Sequence, residues 1–205
     1  MDNFILYAYA YPFRSRAERI IWTLREFKFP YRVIRIDPFK GETRSAEFGG
    51  LNPQRKVPVL VHDGRALSES LAIMAYLNDC SSELKLIPSE RDAHYRYNRA
   101  SHFGTTEFES YLWIADQATR LKDYYPWPEG TLETALKPVT RAVRTANGWL
   151  QDSAYIAGED FTLADIFYYQ LLTWARKYQV PLGEHADNYL ARLTQHEAFA
   201  IAMMD

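Results

Sequence analysis

Two runs of strand-forming residues flank a single short helical segment, and that arrangement narrows the folds open to this chain. Phe4 to Tyr9 alternates apolar and aromatic residues as a buried strand does. From about Ser15 to Phe27, Ala17, Ile20, Ile21 and Leu24 recur at helical spacing. Beyond Pro30, Tyr31-Arg32-Val33-Ile34-Arg35-Ile36 alternates β-branched residues with arginine and reads as a second strand. Two strands joined through one helix form a parallel βαβ unit.

A Pro-, Gly- and charge-rich stretch from Asp37 to Arg55 follows, with a helical turn expected around Ser45 to Gly50. Val57 to His62 and Arg65 to Leu67 then flank Asp63-Gly64, a strong hairpin turn. From Ser68 to Leu77 a helix is expected, with Leu71, Met74 and Leu77 on one face and Ser68 as N-cap. Residues 1–78 therefore spell βαβ and then ββα. The polar, Pro-containing residues 79–90 make a natural linker. Residues 91–205 read as all helical, broken at Tyr125-Pro126-Trp127-Pro128-Glu129-Gly130. The expected fold is an α/β domain followed by an all-α domain.

Composition excludes several classes. A hydrophobic share of 47% with 24% charged residues is globular rather than disordered. Lys+Arg at 24 against Asp+Glu at 26 gives a net charge of -2, so no basic excess suits nucleic acid or an anionic membrane. The single cysteine, Cys80, excludes an intramolecular disulfide framework and a multi-cysteine zinc site; it is expected to be an inert, buried or half-buried thiol. His62, His94, His102, His185 and His196 lack metal-ligand spacing, and no Gly-rich loop could cradle phosphate, so no metal or cofactor is expected. No basic n-region opens the chain and no apolar run nears the ~20 residues of a membrane span, so a cytoplasmic location is expected. The oddity is 15 tyrosines.

Three motifs carry chemistry or diagnosis. In Lys56-Val57-Pro58-Val59 the proline belongs at a strand edge or start, as a plain trans residue or at a cis peptide. In Leu67-Ser68-Glu69-Ser70 a helix opens beside a carboxylate. Its free N–H groups suit a carboxylate ligand and Glu69 suits an ammonium, together an α-amino acid head; a simple acidic cap is the alternative. Downstream, Thr162 with Asp165 three residues on forms a capping box, and Phe161 with Ile166 a hydrophobic staple.

Taken together, these motifs and the strand order resemble the cytosolic glutathione S-transferase family over essentially the whole chain. The resemblance implies a thioredoxin-like N-terminal domain that binds glutathione, and a helical domain contributing an apolar-substrate site between the two. It implies that Val57 offers its backbone N–H and C=O to the cysteinyl part, with Pro58 cis. Glu69 and Ser70 would hold the γ-glutamyl head. Arg55 would serve the glycyl carboxylate, where some classes place a histidine, or be a solvated loop charge. Tyr111 and Trp113 would wall the electrophile site, or pack in the helical core. A homodimer is implied by the resemblance alone.

The catalytic position departs from the family. Catalysis would use glutathione as its thiolate, the nucleophilic form. Tyr11-Pro12-Phe13-Arg14-Ser15-Arg16-Ala17-Glu18 resembles the tau-class Ser-Pro-Phe-Ser-x-Arg-Val-Glu stretch and the omega-class Cys-Pro-Phe, with Tyr11 where they carry Ser or Cys. Tyr-type classes place their tyrosine earlier, where Ala8 stands. Tyr11 is thus the first candidate donor and Ser15 the second, with Arg14 as a cation beside it and Tyr9 third; backbone amides alone are the alternative. The expected function is attack of glutathione thiolate on a small apolar electrophile or hydroperoxide. The alternatives are a glutathione-dependent isomerase and a non-catalytic binding or regulatory protein of the same fold.

Overall fold

The computed structural model describes residues 4–11 and 15–202, the side chains of 200–202 excepted. Arg14, with Pro12 and Phe13, lies outside the described residues. The chain divides into two compact units: the chain up to Leu86 with the segment from Gln195 onward, and Ile87–Thr194.

The first unit is built on a four-stranded sheet of β1 (Phe4–Tyr9), β2 (Tyr31–Ile36), β3 (Val59–His62) and β4 (Arg65–Leu67), ordered β2-β1-β3-β4. β1 pairs parallel with β2 and antiparallel with β3, and β3 with β4 antiparallel. Alternation in β1 turns Phe4, Leu6 and Ala8 fully inward. Asp63 and Gly64 take φ of 49° and 75°, the left-handed pair that a tight two-residue hairpin needs.

Around the sheet lie α1 (Ala17–Glu26), α2 (Ala46–Leu51) and α3 (Ser70–Cys80). At 10 residues α1 is too short to hold alone, so burial of Ile20, Ile21, Trp22 and Leu24 must sustain it. A last helix, α9 below, packs on α1: the Phe199 ring stands 5.0 Å from that of Trp22, and Glu26 accepts from Trp22 Nε1 at 2.8 Å and pairs with His196 at 3.3 Å. Residues 195–202, expected with the helical domain, thus belong to the first unit. Cys80 is exposed at the end of α3, not buried in a linker, because it falls on the solvent side of the helix whose Met74 and Leu77 face inward.

The helical unit comprises α4 (Arg91–Phe103), a π-helical turn (Gly104–Glu109), α5 (Ser110–Ala118), α6 (Thr131–Trp149), α7 (Leu163–Lys177) and α8 (Glu184–Leu193); α9 (Glu197–Ala202) closes the chain. The π turn falls where Gly104 meets α7: a Cβ there would lie 2.7 Å from Phe167 and 3.2 Å from Tyr168. Asp165, fully buried, accepts from Thr162 N–H and Oγ1, Ile156 N–H and Tyr189 OH at 2.7–2.9 Å. Burial pushes its carboxyl above the usual carboxylate range, against the downward pull of those four donors. Half-buried Tyr178 donates to Asp116 at 2.6 Å, and desolvation raises its hydroxyl pKa well above the ordinary phenol value.

Candidate functional site

Strand directions gather the candidate residues of the first unit at one sheet edge. The outermost β1–β3 pair is Tyr7 with Val59, and the outermost β3–β4 pair is Leu60 with Leu67. Tyr11 beyond β1, Val57–Pro58 before β3 and Glu69–Ser70 after β4 therefore leave the sheet on the same side. The helices α1 and α3 both begin there, so their positive dipole ends face that edge.

The Val57–Pro58 peptide is cis. Among the described residues no hydrogen bond engages the Val57 N–H or C=O. That leaves an edge able to take an extended peptide by backbone pairing. Buried Asn52 shapes the approach, donating from Nδ2 to Lys56 O at 2.8 Å and accepting from Gln54 N–H at 3.0 Å. Arg55, exposed and with φ of 56°, donates from Nη1 to Thr43 O at 3.2 Å and Ser45 O at 3.1 Å. A Cβ on Gly49 would stand 2.9 Å from Arg55 Nη2, so glycine makes room for the guanidinium.

The start of α3 differs from the sequence reading. Ser68 does not cap it; Glu69 occupies the N-cap position with φ of 66°, and among the described residues no side chain bonds the first N–H groups. A non-glycine residue in that region costs about 1–3 kcal/mol and persists only where its surroundings impose it. Glu69 is exposed while Ser70 is buried, and Arg19 of α1 donates from Nη1 to Ser70 Oγ at 3.2 Å. Arg19 carries no sequence signal of this role beyond being a charge among the apolar residues of α1.

Tyr11 is 51% exposed, with its ring 5.4 Å from that of Tyr9, which in turn meets Phe39 at 6.2 Å. Among the described residues its hydroxyl has no hydrogen-bond partner. Ser15 is engaged: its Oγ donates to Glu18 Oε2 at 3.1 Å and accepts from Ala17 N–H at 3.1 Å, while its own N–H donates to the same carboxylate at 3.0 Å. Ser15 therefore serves the start of α1.

In the helical unit, Tyr111 and Ile114 of α5, Trp127, Pro128 and Ala135 line an apolar groove of about 420 Å³. Trp113 does not line it. Two residues on, it lies about 200° round the helix, and its ring meets Tyr125 at 6.2 Å. Among the described residues, no group of three or more His, Cys, Asp or Glu could hold a metal, and no helix is long and apolar enough to cross a membrane.

A thioredoxin-like α/β unit with an open cis-proline edge, joined to an all-α unit, defines the glutathione transferase fold. Comparison with known proteins agrees. The Glutathione S-transferase N-terminal domain family matches residues 13–80 and the Glutathione S-transferase C-terminal domain family residues 114–196. Glutathione S-transferase GstA of Escherichia coli O157:H7 is 29% identical over 184 residues, 86% of this chain and 85% of its own. Glutathione S-transferase hmp2 of Hypomyces subiculosus is 30% identical over 158 residues, 73% of this chain and 74% of its own. A maleylacetoacetate isomerase of Dictyostelium discoideum is 32% identical over 84 residues, 41% of this chain and 38% of its own. A solved structure of a possible glutathione S-transferase from Rhodopseudomonas palustris superposes with a TM-score of 0.83 at 26% identity, covering 98% of both chains. The chain belongs to the glutathione S-transferase family.

Proposed function

We propose that the protein is a glutathione transferase that binds glutathione on its first unit and directs the thiolate at a small apolar electrophile or hydroperoxide. The observation that carries this is the gathering of Tyr11, Val57–Pro58 and Glu69–Ser70 at one sheet edge, with two helix N-termini beside them. The Val57 N–H and C=O pair with the cysteinyl backbone in the manner of an added strand. Ser70 and the first N–H groups of α3 take the α-carboxylate of the γ-glutamyl head, and the Glu69 carboxylate takes its ammonium. Arg55, held by two carbonyls, presents a fixed guanidinium to the glycyl carboxylate.

Tyr11 donates its hydroxyl to the sulfur, lowering the thiol pKa so that the thiolate is present at neutral pH. The thiolate forms a C–S bond to a carbon electrophile as the leaving group departs with its electron pair. With a hydroperoxide it takes the terminal oxygen as the O–O bond breaks and the alcohol leaves, and a second glutathione converts the sulfenic acid to disulfide and water. The Tyr111 groove takes the apolar electrophile.

The match to a maleylacetoacetate isomerase favours a second reading, glutathione-dependent isomerisation. The two differ in stoichiometry: transfer consumes one thiol per turnover, whereas isomerisation returns it. Turnover of an activated aryl halide is the test. The rate should saturate in glutathione and exceed that with a simple thiol at equal thiolate concentration. Equal rates with both thiols would refute transferase activity, and isomerisation without loss of thiol would establish the second reading.

A further inference from the structure

We propose that Arg19 makes the Glu69–Ser70 end of the site selective for a head group bearing a carboxylate, and that it acts through Ser70. This rests on the glutathione reading above. Arg19 is a positioning residue in this account; its guanidinium contacts Ser70 and need not touch the ligand.

The Arg19 side chain is 2% exposed and leaves α1 in the middle of its buried face. Its Nη1 donates to Ser70 Oγ at 3.2 Å, joining residues 51 apart in sequence. A guanidinium can only donate, so Ser70 must accept on that side and its own proton is directed elsewhere. An oxygen whose lone pair is taken by a cation is polarised and becomes a stronger donor. Ser70 is also the first residue of α3, where the N–H groups carry no side-chain cap and the helix dipole is positive.

Three features of one sign thus meet at a buried hydroxyl: the guanidinium, the uncapped N–H groups and the proton of Ser70. They complement oxygens with negative charge and disfavour an amide nitrogen or an ammonium in the same place. Glu69, exposed next door, supplies the opposite sign. The pair distinguishes the two groups of an α-amino acid head by position. Without Arg19, Ser70 could equally accept from a ligand N–H, and the distinction would weaken.

The test is calorimetric binding of glutathione, and of a glutathione analogue lacking the γ-glutamyl α-carboxylate, to the full chain and its Arg19→Gln, Arg19→Lys and Ser70→Ala variants. The unmodified chain should prefer glutathione by about tenfold or more, the worth of one charge-assisted hydrogen bond. Arg19→Gln should remove most of that preference by weakening glutathione while leaving the analogue unchanged. In a Ser70→Ala background, Arg19→Lys should add no further loss.

An Arg19→Gln variant that keeps the original preference, or weakens both ligands equally, would overturn the inference. No preference in the unmodified chain would instead overturn the γ-glutamyl reading on which it rests. Should Arg19→Gln not fold, Arg19→Met carries the same comparison, because it fills similar space and cannot donate, whereas Arg19→Lys, a cation that also only donates, should keep most of the preference.

Discussion

Replacing Asp165 by asparagine should destabilise the helical unit severely, and the geometry supplies the magnitude. One carboxylate oxygen accepts from Ile156 N–H at 2.8 Å and Tyr189 OH at 2.7 Å; the other accepts from Thr162 N–H at 2.7 Å and Thr162 Oγ1 at 2.9 Å. An asparagine amide has only one oxygen, so whichever way it turns, two donors face an NH₂ group. Two lost hydrogen bonds to a charged acceptor are worth about 1.5–3 kcal/mol each. Relief of the buried charge returns part of this, leaving a loss of about 2–4 kcal/mol. At about 2–4 °C per kcal/mol for a protein of this size, Tm should fall by roughly 4–16 °C.

A pH dependence accompanies the loss. Burial raises the folded-state pKa of Asp165. Protonation therefore favours the folded state, and the stability it adds is complete below the unfolded value and lost as pH rises through the folded value. Asparagine does not titrate, so the gap between the native chain and the variant should be widest in acid and narrow towards neutrality. Thermal unfolding followed by circular dichroism at several pH values checks both points. A variant melting within about 2 °C of the native chain, or a gap that widens as pH rises, would rule out this role for Asp165.

Tyr11→Phe should raise the pKa of bound glutathione thiol, read as lost thiolate ultraviolet absorbance at neutral pH with little change in melting temperature. Ser15→Ala should do the reverse: the capping contact costs about 1 kcal/mol when lost, seen as a lower Tm, while the bound thiolate signal stays as it was. If Ser15→Ala removes the thiolate and Tyr11→Phe does not, the donor is misassigned. Tyr111→Ala should raise the apparent KM for an aryl electrophile without altering glutathione affinity, whereas Trp113→Ala, away from the groove, should leave that KM unchanged; steady-state kinetics with each substrate varied in turn distinguishes them.

How far the chain's residues announce its structure varies with the range of the forces involved. The bounds of β1 follow from alternation that the sheet then buries, those of β2 from its β-branched residues although none of the six is fully buried, and the Asp63-Gly64 turn from two residues that tolerate positive φ. The Thr162–Asp165 capping box is equally local, but that Asp165 also takes Ile156 and Tyr189 depends on where other segments pass. The start of α3 lies at Ser70 rather than Ser68 because Glu69 adopts φ of 66°, which tertiary surroundings impose and no local pattern demands. The interruption after Phe103 arises from the close approach of Gly104 to Phe167, a contact between distant segments. For the same reason residues 195–202 gave no sign that they would pack on α1.

At the candidate site, Val57–Pro58 and Glu69–Ser70 were legible as short motifs. The pairing of Arg19 with Ser70 was not, since only the fold brings α1 against the start of α3. Trp113 and Tyr111 are neighbours in sequence, but helical geometry sends the two in different directions.

Each proposed role of this chain requires that it bind glutathione through the edge formed by Val57, Glu69 and Ser70. Calorimetric titration of the native chain with glutathione, repeated with Glu69→Gln, measures it directly. Saturable binding at one site per chain, weakened in the variant by about tenfold or more, is the predicted result. No heat of binding at millimolar glutathione, or an affinity that Glu69→Gln leaves unchanged, would contradict it.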